Sequence, residues 1–344
     1  MFAQAHRRNR CRVRWEAFTD EALLDLRFCD LGVSLENSPL RAAVERWYAA
    51  LGRLGVRFRP HCWVGEEWFS PDGVPGFAVP FYLAHPRLRA LERRMMGQVE
   101  GGDPVWLMRL LRHETGHTID TAYRLRHRPD WRAYFGSASL PYPLHYRARP
   151  GSRRYVQHLG GWYAQSHPTE DFAETFAVWS GSDRAWRTHY ADWPARRKLE
   201  YVDRLMARLG PRAAPVRARV FVEPIADKSL TLREHYSRMQ GLYGDGAYRP
   251  LDALLRRWFS ARATAGSTSA INRLKASRRR LLAKMVAVTG CSEYVARQVM
   301  AETTTRCRQL GLGWVRSRVS MAVIEDDMVG LTQRLLRGSR TFPL

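Results

Sequence analysis

The spacing of apolar and polar positions divides the chain into a mixed front part and an all-helical back part. Residues 40–56 (LRAAVERWYAALGRLGV) carry apolar side chains at helical spacing and run into a glycine, which predicts an amphipathic helix. The stretches 57–70 (RFRPHCWVGEEWFS) and 74–84 (VPGFAVPFYLA) read as two strands around the turn Pro71-Asp72-Gly73. Asp103 followed by Pro104 is a helix start. Val105, Leu107, Met108, Leu110 and Leu111 then lay down an apolar stripe that continues through Ile119, Ala122 and Leu125 to the stop at Pro129, predicting a helix over 103–127. A further helix is predicted over 167–181, capped by Ser166 or His167, with Pro168 near its start, Phe172, Phe176 and Trp179 on one face, and Gly181 at its end. Residues 193–210 give another helix, ending at Gly210. The connection 128–165, rich in Pro, Gly, Tyr and Arg, is long for the inside of a domain, and such segments are often functional. Pro211 to Pro224 reads as a linker. Helical patterns follow at about 229–240, 250–261, 271–289, 292–310 and 320–337, with the run 261–270 (ARATAGSTSA) as a flexible break.

The first predicted long helix carries His113-Glu114-Thr115-Gly116-His117, an HExxH pattern. Positions i and i+4 of a helix lie one turn apart on one face, so both imidazoles can reach a single metal ion. Glu114 sits beside the first of them and is placed to act as general base on a metal-activated water. On its own the pentapeptide also fits a polar helix face with two surface histidines. The motif falls mid-helix, about three turns in, where side-chain geometry is most rigid.

A catalytic zinc ion usually takes three protein ligands and keeps one position open. The predicted helix over 167–181 offers the third, because Glu170 and Glu174 stand at i and i+4 opposite its apolar face. Burying two carboxylates is costly without cationic partners, which a metal held by two imidazoles would supply. The alternative is a solvated acidic face at a helix N-terminus, with Asp171 adding to it.

These residues carry a resemblance. An HExxH followed by a Glu on a second helix is similar to the gluzincin arrangement, and Glu-Asp-Phe-Ala-Glu (170–174) resembles the Glu-x-x-x-Glu segment of the anthrax lethal factor protease domain. That resemblance implies Glu170 as third zinc ligand and Glu174 as the residue orienting a zinc-bound histidine. It also implies Tyr163, seven residues before Glu170, as donor to the oxyanion or leaving group. Asp120, three residues after His117, matches a further acidic position, implied to fix a histidine tautomer. The stretches PFYLAHPRL, RLLRHETGHTIDTAYRL, WYAQSHPTEDFAETFAVW and KLEYVD, within residues 15–210, resemble a group of bacterial zinc-binding metallopeptidases. The expected fold is therefore α+β. A basic arm at 1–14 precedes a zincin-like domain over 15–212, with a small sheet and the HExxH helix, and a helical basic region follows over 213–344. The expected function is zinc-dependent hydrolysis of peptide or amide bonds. His158 and His167 flank Tyr163 and are candidates to line the cleft. His61, His85, His127, His145, His189 and His235 show no ligand spacing and read as ordinary polar residues.

Composition adds two things. The five cysteines, Cys11, Cys29, Cys62, Cys291 and Cys307, are dispersed with no CxxC pair, and the arginine-bearing N-terminus lacks an apolar core like that of a signal peptide. Both suit a cytoplasmic protein without a cysteine-ligated metal, and no apolar run is long enough for a membrane span. The net charge is +23, and residues 213–344 hold 23 Lys+Arg against 10 Asp+Glu, so +13 lies there. Such a field attracts nucleic acid, anionic surfaces or acidic peptides, which makes the expected substrate a peptide or protein, acidic ones favoured. It also supports a different class of function, a nucleic-acid- or anion-binding protein whose front domain is secondary or inactive. Within the basic region, TGCSEYVARQVM (289–300) has the Gly turn, Ser cap and helix of a helix-turn-helix, although Val286 stands where a small residue is usual.

Overall fold

The structure is a computed structural model that describes residues 14–143, 145–181, 184–243, 249–260, 268–314, 319–337 and 342–343. All but residue 14 of the expected arm at 1–14, and most of the break at 261–270, lie outside these residues. The fold is mostly helical with a small two-stranded parallel sheet, compatible with the α+β class.

The helix predicted over 103–127 spans Pro104–Tyr123. Asp103 caps it by accepting from the backbone N–H groups of Val105 and Trp106, both at 3.0 Å, and Arg124 ends it in the left-handed region at φ 52°. This histidine helix packs against a glutamate helix, Pro168–Trp179, whose N-cap is His167. The other expected helices form at Leu40–Arg53, Arg196–Leu209, Leu232–Tyr243, Arg249–Trp258, Glu293–Gln309 and Met321–Leu336. The pattern over 271–289 is broken at Ser277 into Ala270–Ala276 and Arg278–Thr289.

The strands are β1, His61–Gly65, and β2, Gly76–Pro80. They do not form a hairpin around Pro71-Asp72-Gly73. They pair in parallel, His61 opposite Gly76 through Gly65 opposite Pro80, and only Phe69 returns antiparallel to β2, opposite Ala78. Both strands are almost wholly buried, which explains why they read as apolar runs without alternation. Phe69 thereby leads an outer edge of the sheet.

The boundary between cores also differs from the expected one at 212. One apolar cluster runs from Trp15 to Tyr236 and includes Ile225 and Leu232 of the supposed back region. Backbone bonds Phe28 N–H to Leu230 C=O (3.0 Å) and Leu232 N–H to Leu26 C=O (2.9 Å) tie that segment to the front domain. A second cluster runs from Leu251 to Leu335 and recruits Tyr146, Ala148 and Trp162 from the long connection. The helix Glu293–Gln309, which holds the helix of the helix-turn-helix pattern, packs one face into the second core and keeps Glu293, Arg297, Ala301 and Arg308 exposed. Ala296, Val299, Met300, Thr303 and Cys307 are buried in the second core. On its other side Glu302 accepts from the Gly161 backbone N–H at 3.0 Å, and the Tyr294 hydroxyl receives Gln157 at 3.4 Å. Among the described residues no helix is long and apolar enough to cross a membrane.

A very close approach lies between the two site helices. A Cβ added at Gly116 would stand 2.6 Å from Ala173 Cα and 3.0 Å from its carbonyl oxygen, so only glycine lets the helices cross this closely. Gly116→Ala should therefore destabilise the protein by about 1–3 kcal/mol, outweighing the gain of about 1 kcal/mol in helix propensity. Thermal unfolding measures this, and Ala173→Gly should give no rescue because the clash is with main-chain atoms. A more stable Gly116→Ala protein would refute the contact.

His235 packs edge-on to Phe28 and Phe81, with ring centroids 5.2 and 5.4 Å away, and burial pushes its pKa down to about 4. An unfolded-chain histidine titrates near about 6.5, so the unfolded state takes up the proton first. Stability is lost as pH falls from about 6.5 towards 4, by on the order of 3 kcal/mol. Denaturant titrations of wild type and His235→Gln should show wild type losing its advantage over the variant across that window.

Candidate metal centre

The crossing at Gly116 sets two turns of each helix face to face. His113 and His117 project from one, Glu170 and Glu174 from the other. His113 Nε2, His117 Nε2 and Glu170 Oε2 form a triangle with all three sides 3.1 Å. Ligand atoms of a tetrahedral ion with bonds of about 2.0–2.1 Å stand roughly 3.3 Å apart, so the triangle is near the spacing that one bound cation imposes. The three residues constitute a group that could hold a metal ion.

The surroundings fit the same role. Glu174 Oε1 accepts from His113 Nδ1 at 2.8 Å, which turns the Nε2 lone pair towards the triangle. Its other oxygen accepts the backbone N–H groups of Leu159 (2.8 Å) and His158 (3.3 Å), so Glu174, 0 % exposed, is satisfied on both sides. Burial alone would lower the His113 pKa, but hydrogen bonds and charges from Glu170 and Glu174 overcome it and raise it well above the usual histidine range. Proton and metal cation compete for one lone pair, so this is a place that favours positive charge. Burial by itself would also raise the Glu170 carboxyl, yet the two imidazoles hold it well below the usual carboxylate range.

The acidic face of the glutamate helix is not solvated. Glu170 is 4 % exposed and Asp171 2 %. Asp171 pairs with Lys198, and burial still pushes its pKa up to about 7. The reading of the pentapeptide as a surface helix face fails for the same reason, since His113 is 3 % exposed.

Glu114, next to His113 on the helix, is buried and accepts a hydrogen bond from Ser70 Oγ at 2.8 Å. Ser70 follows Phe69 on the outer edge of the sheet, so the edge and the carboxylate are joined. The Tyr163 ring centroid lies 5.6 Å from that of His113. Burial, then the charges of Glu170 and Glu114, raise its phenol well above the ordinary value, so it stays protonated. Tyr163 is aimed by a turn in which Gly161 and Trp162 both take left-handed conformations, at φ 73° and 58°. That turn is pinned by Tyr146 Oη donating to Gly161 C=O (2.9 Å) and by Glu302 accepting from Gly161 N–H. The helical region therefore holds one wall of the site.

Asp120 is engaged elsewhere than expected. Its oxygens accept from the Arg126 backbone N–H (2.7 Å) and Nε (2.6 Å), and Arg126 also pairs with Asp72 at 2.7 Å. It ties the end of the histidine helix to the 71–73 turn, and the orienting of a ligand histidine falls to Glu174. His158 Nε2 bonds the Arg109 carbonyl at 2.9 Å, and burial lowers its pKa to about 4. His167 caps its helix and bonds Leu140 C=O at 2.9 Å. Neither reaches the triangle.

Two participants were missed in the sequence. Ser70 is one. The other is Tyr142, whose hydroxyl donates to Glu170 Oε1 at 2.8 Å and contacts Thr169 Oγ1, while its ring stacks on His167 at 3.9 Å. Tyr142 thus fixes the ligand carboxylate from the side away from the histidines. The only signal was the tyrosine content of the long connection. No protein-family model matches the chain, and no curated protein or solved structure matches it either.

Removing the Tyr142 hydroxyl should loosen Glu170 without deleting a ligand. If the triangle holds a metal ion, Tyr142→Phe is expected to weaken its binding about 10- to 100-fold, measured by competition with a chromophoric chelator. Asp120→Asn should instead lower stability and leave zinc affinity within about threefold, well short of that loss.

Proposed function

We propose that the protein is a zinc-dependent metallopeptidase of the gluzincin type with a zincin-like front domain, hydrolysing peptide or amide bonds. The observation that carries this reading is the 3.1 Å triangle of His113 Nε2, His117 Nε2 and Glu170 Oε2, with the buried Glu114 next to His113 on the same helix. Two histidines and a glutamate are a donor set used by catalytic zinc, and zinc bound there would supply Lewis-acid polarisation and an acidified water.

The chain's own groups provide the rest. Glu114, held by Ser70, accepts a proton from the attacking water and returns it to the leaving amine. Keeping the Tyr163 phenol protonated makes it a donor to the oxyanion, a contribution of roughly a few kcal/mol. Glu174 keeps His113 in one tautomer. The edge led by Phe69 pairs with β2 on one side only among the described residues, leaving main-chain groups for an extended peptide.

The test pairs metal content with turnover. Wild type should bind one zinc per chain and cleave members of a fluorogenic peptide library, and Glu114→Gln should keep the zinc while losing about 100- to 10,000-fold in turnover. A Glu114→Gln protein with full activity, or a wild type that takes up no zinc, overturns the assignment.

A further inference from the structure

The nucleic-acid reading rested on the net charge of residues 213–344, where several of the basic groups are matched by carboxylates. Arg257 pairs with Asp327, Arg280 with Glu325, Lys284 with Asp326, Arg297 with Glu293 and Arg306 with Asp252. A cluster of arginines without carboxylate partners lies where the start of that region meets the lead into β1. Arg57 and Arg59, leading into β1, face Arg212, Arg217 and Arg219 across a groove of about 370 Å³ on the front domain. All five side chains are exposed, and among the described residues none has a carboxylate partner.

The groove is built rather than incidental. Its 211–222 wall is pinned by Arg57 N–H to Gly210 C=O (2.8 Å), Val216 N–H to Ala122 C=O (3.2 Å), His61 Nε2 to Val220 C=O (3.0 Å) and Trp63 Nε1–H to Val222 C=O (3.0 Å). At the His61 end, three rings stack: His61 on Trp63 at 5.4 Å, Trp63 on Phe221 at 5.7 Å and His61 on Phe221 at 6.0 Å, all within 30° of parallel. Phe221 is 55 % exposed even with His61 and Trp63 stacked against it.

We propose that this groove binds single-stranded nucleic acid. Guanidiniums along a groove neutralise successive phosphates, and an exposed ring at its end stacks a base. An oligoglutamate would use the arginines but carries no ring to stack on Phe221, so the aromatic contact favours a nucleobase-bearing polyanion. The site shares no residue with the metal centre, so it neither requires nor supports the peptidase reading.

The experiment uses the full chain and fluorescein-labelled (dT)12, read by anisotropy across a salt series. Neutralising five phosphates predicts a log–log salt slope of about −3.5. Arg217→Glu/Arg219→Glu should weaken binding at least about tenfold and make the slope about 1.4 shallower. Phe221→Ala should weaken binding about tenfold with the slope unchanged. All should hold with zinc chelated and with Glu114→Gln, so the two readings fail separately. Unaltered binding by both groove variants overturns the proposal. So does an oligoglutamate of equal charge binding as tightly as (dT)12.

Discussion

The close crossing of the histidine and glutamate helices is the constraint on which the rest depends. Gly116 lies inside the HExxH pattern, and Ala173 lies between Glu170 and Glu174. Because Gly116 has no Cβ, the helix axes approach until the backbones touch, and four site side chains meet across the gap. A glycine in mid-helix costs roughly 1 kcal/mol relative to alanine. Here that cost is offset by packing and by the convergence of the ligand atoms. Trp47 supports the same turn from behind, its indole donating to Thr115 Oγ1 at 2.8 Å.

Convergence brings an electrostatic demand. Glu170, Glu174 and Asp171 are all nearly or fully buried on one helix. Each is met by a different device: imidazoles for Glu170, one imidazole and two backbone N–H groups for Glu174, and Lys198 for Asp171. Three buried acids tolerated side by side make a site whose field favours a cation at the triangle.

The long connection joins the two cores. Tyr142 braces the ligand carboxylate, Tyr146 and Trp162 enter the second core, and Tyr163 returns to the site. Glu302 of the helical region holds the left-handed turn before Tyr163. The back region is thus part of how the site is shaped.

The long helices and the identities of His113, Glu114, His117, Glu170 and Glu174 were legible in the sequence, because helix caps and i, i+4 spacing are local properties of the chain. The sequence alone thereby determined which side chains could share a face. It left open whether those faces would be buried or solvated. It also implied a strand hairpin, a core boundary at 212 and a histidine partner for Asp120. The structure instead has parallel strands, a boundary between 236 and 251, and Arg126 as that partner. Tyr142 and Ser70 went unnoticed, since each acts on a residue 28 or 44 positions away. Only the tertiary structure decided these points, because they turn on contacts between distant segments, which no local period along the chain encodes.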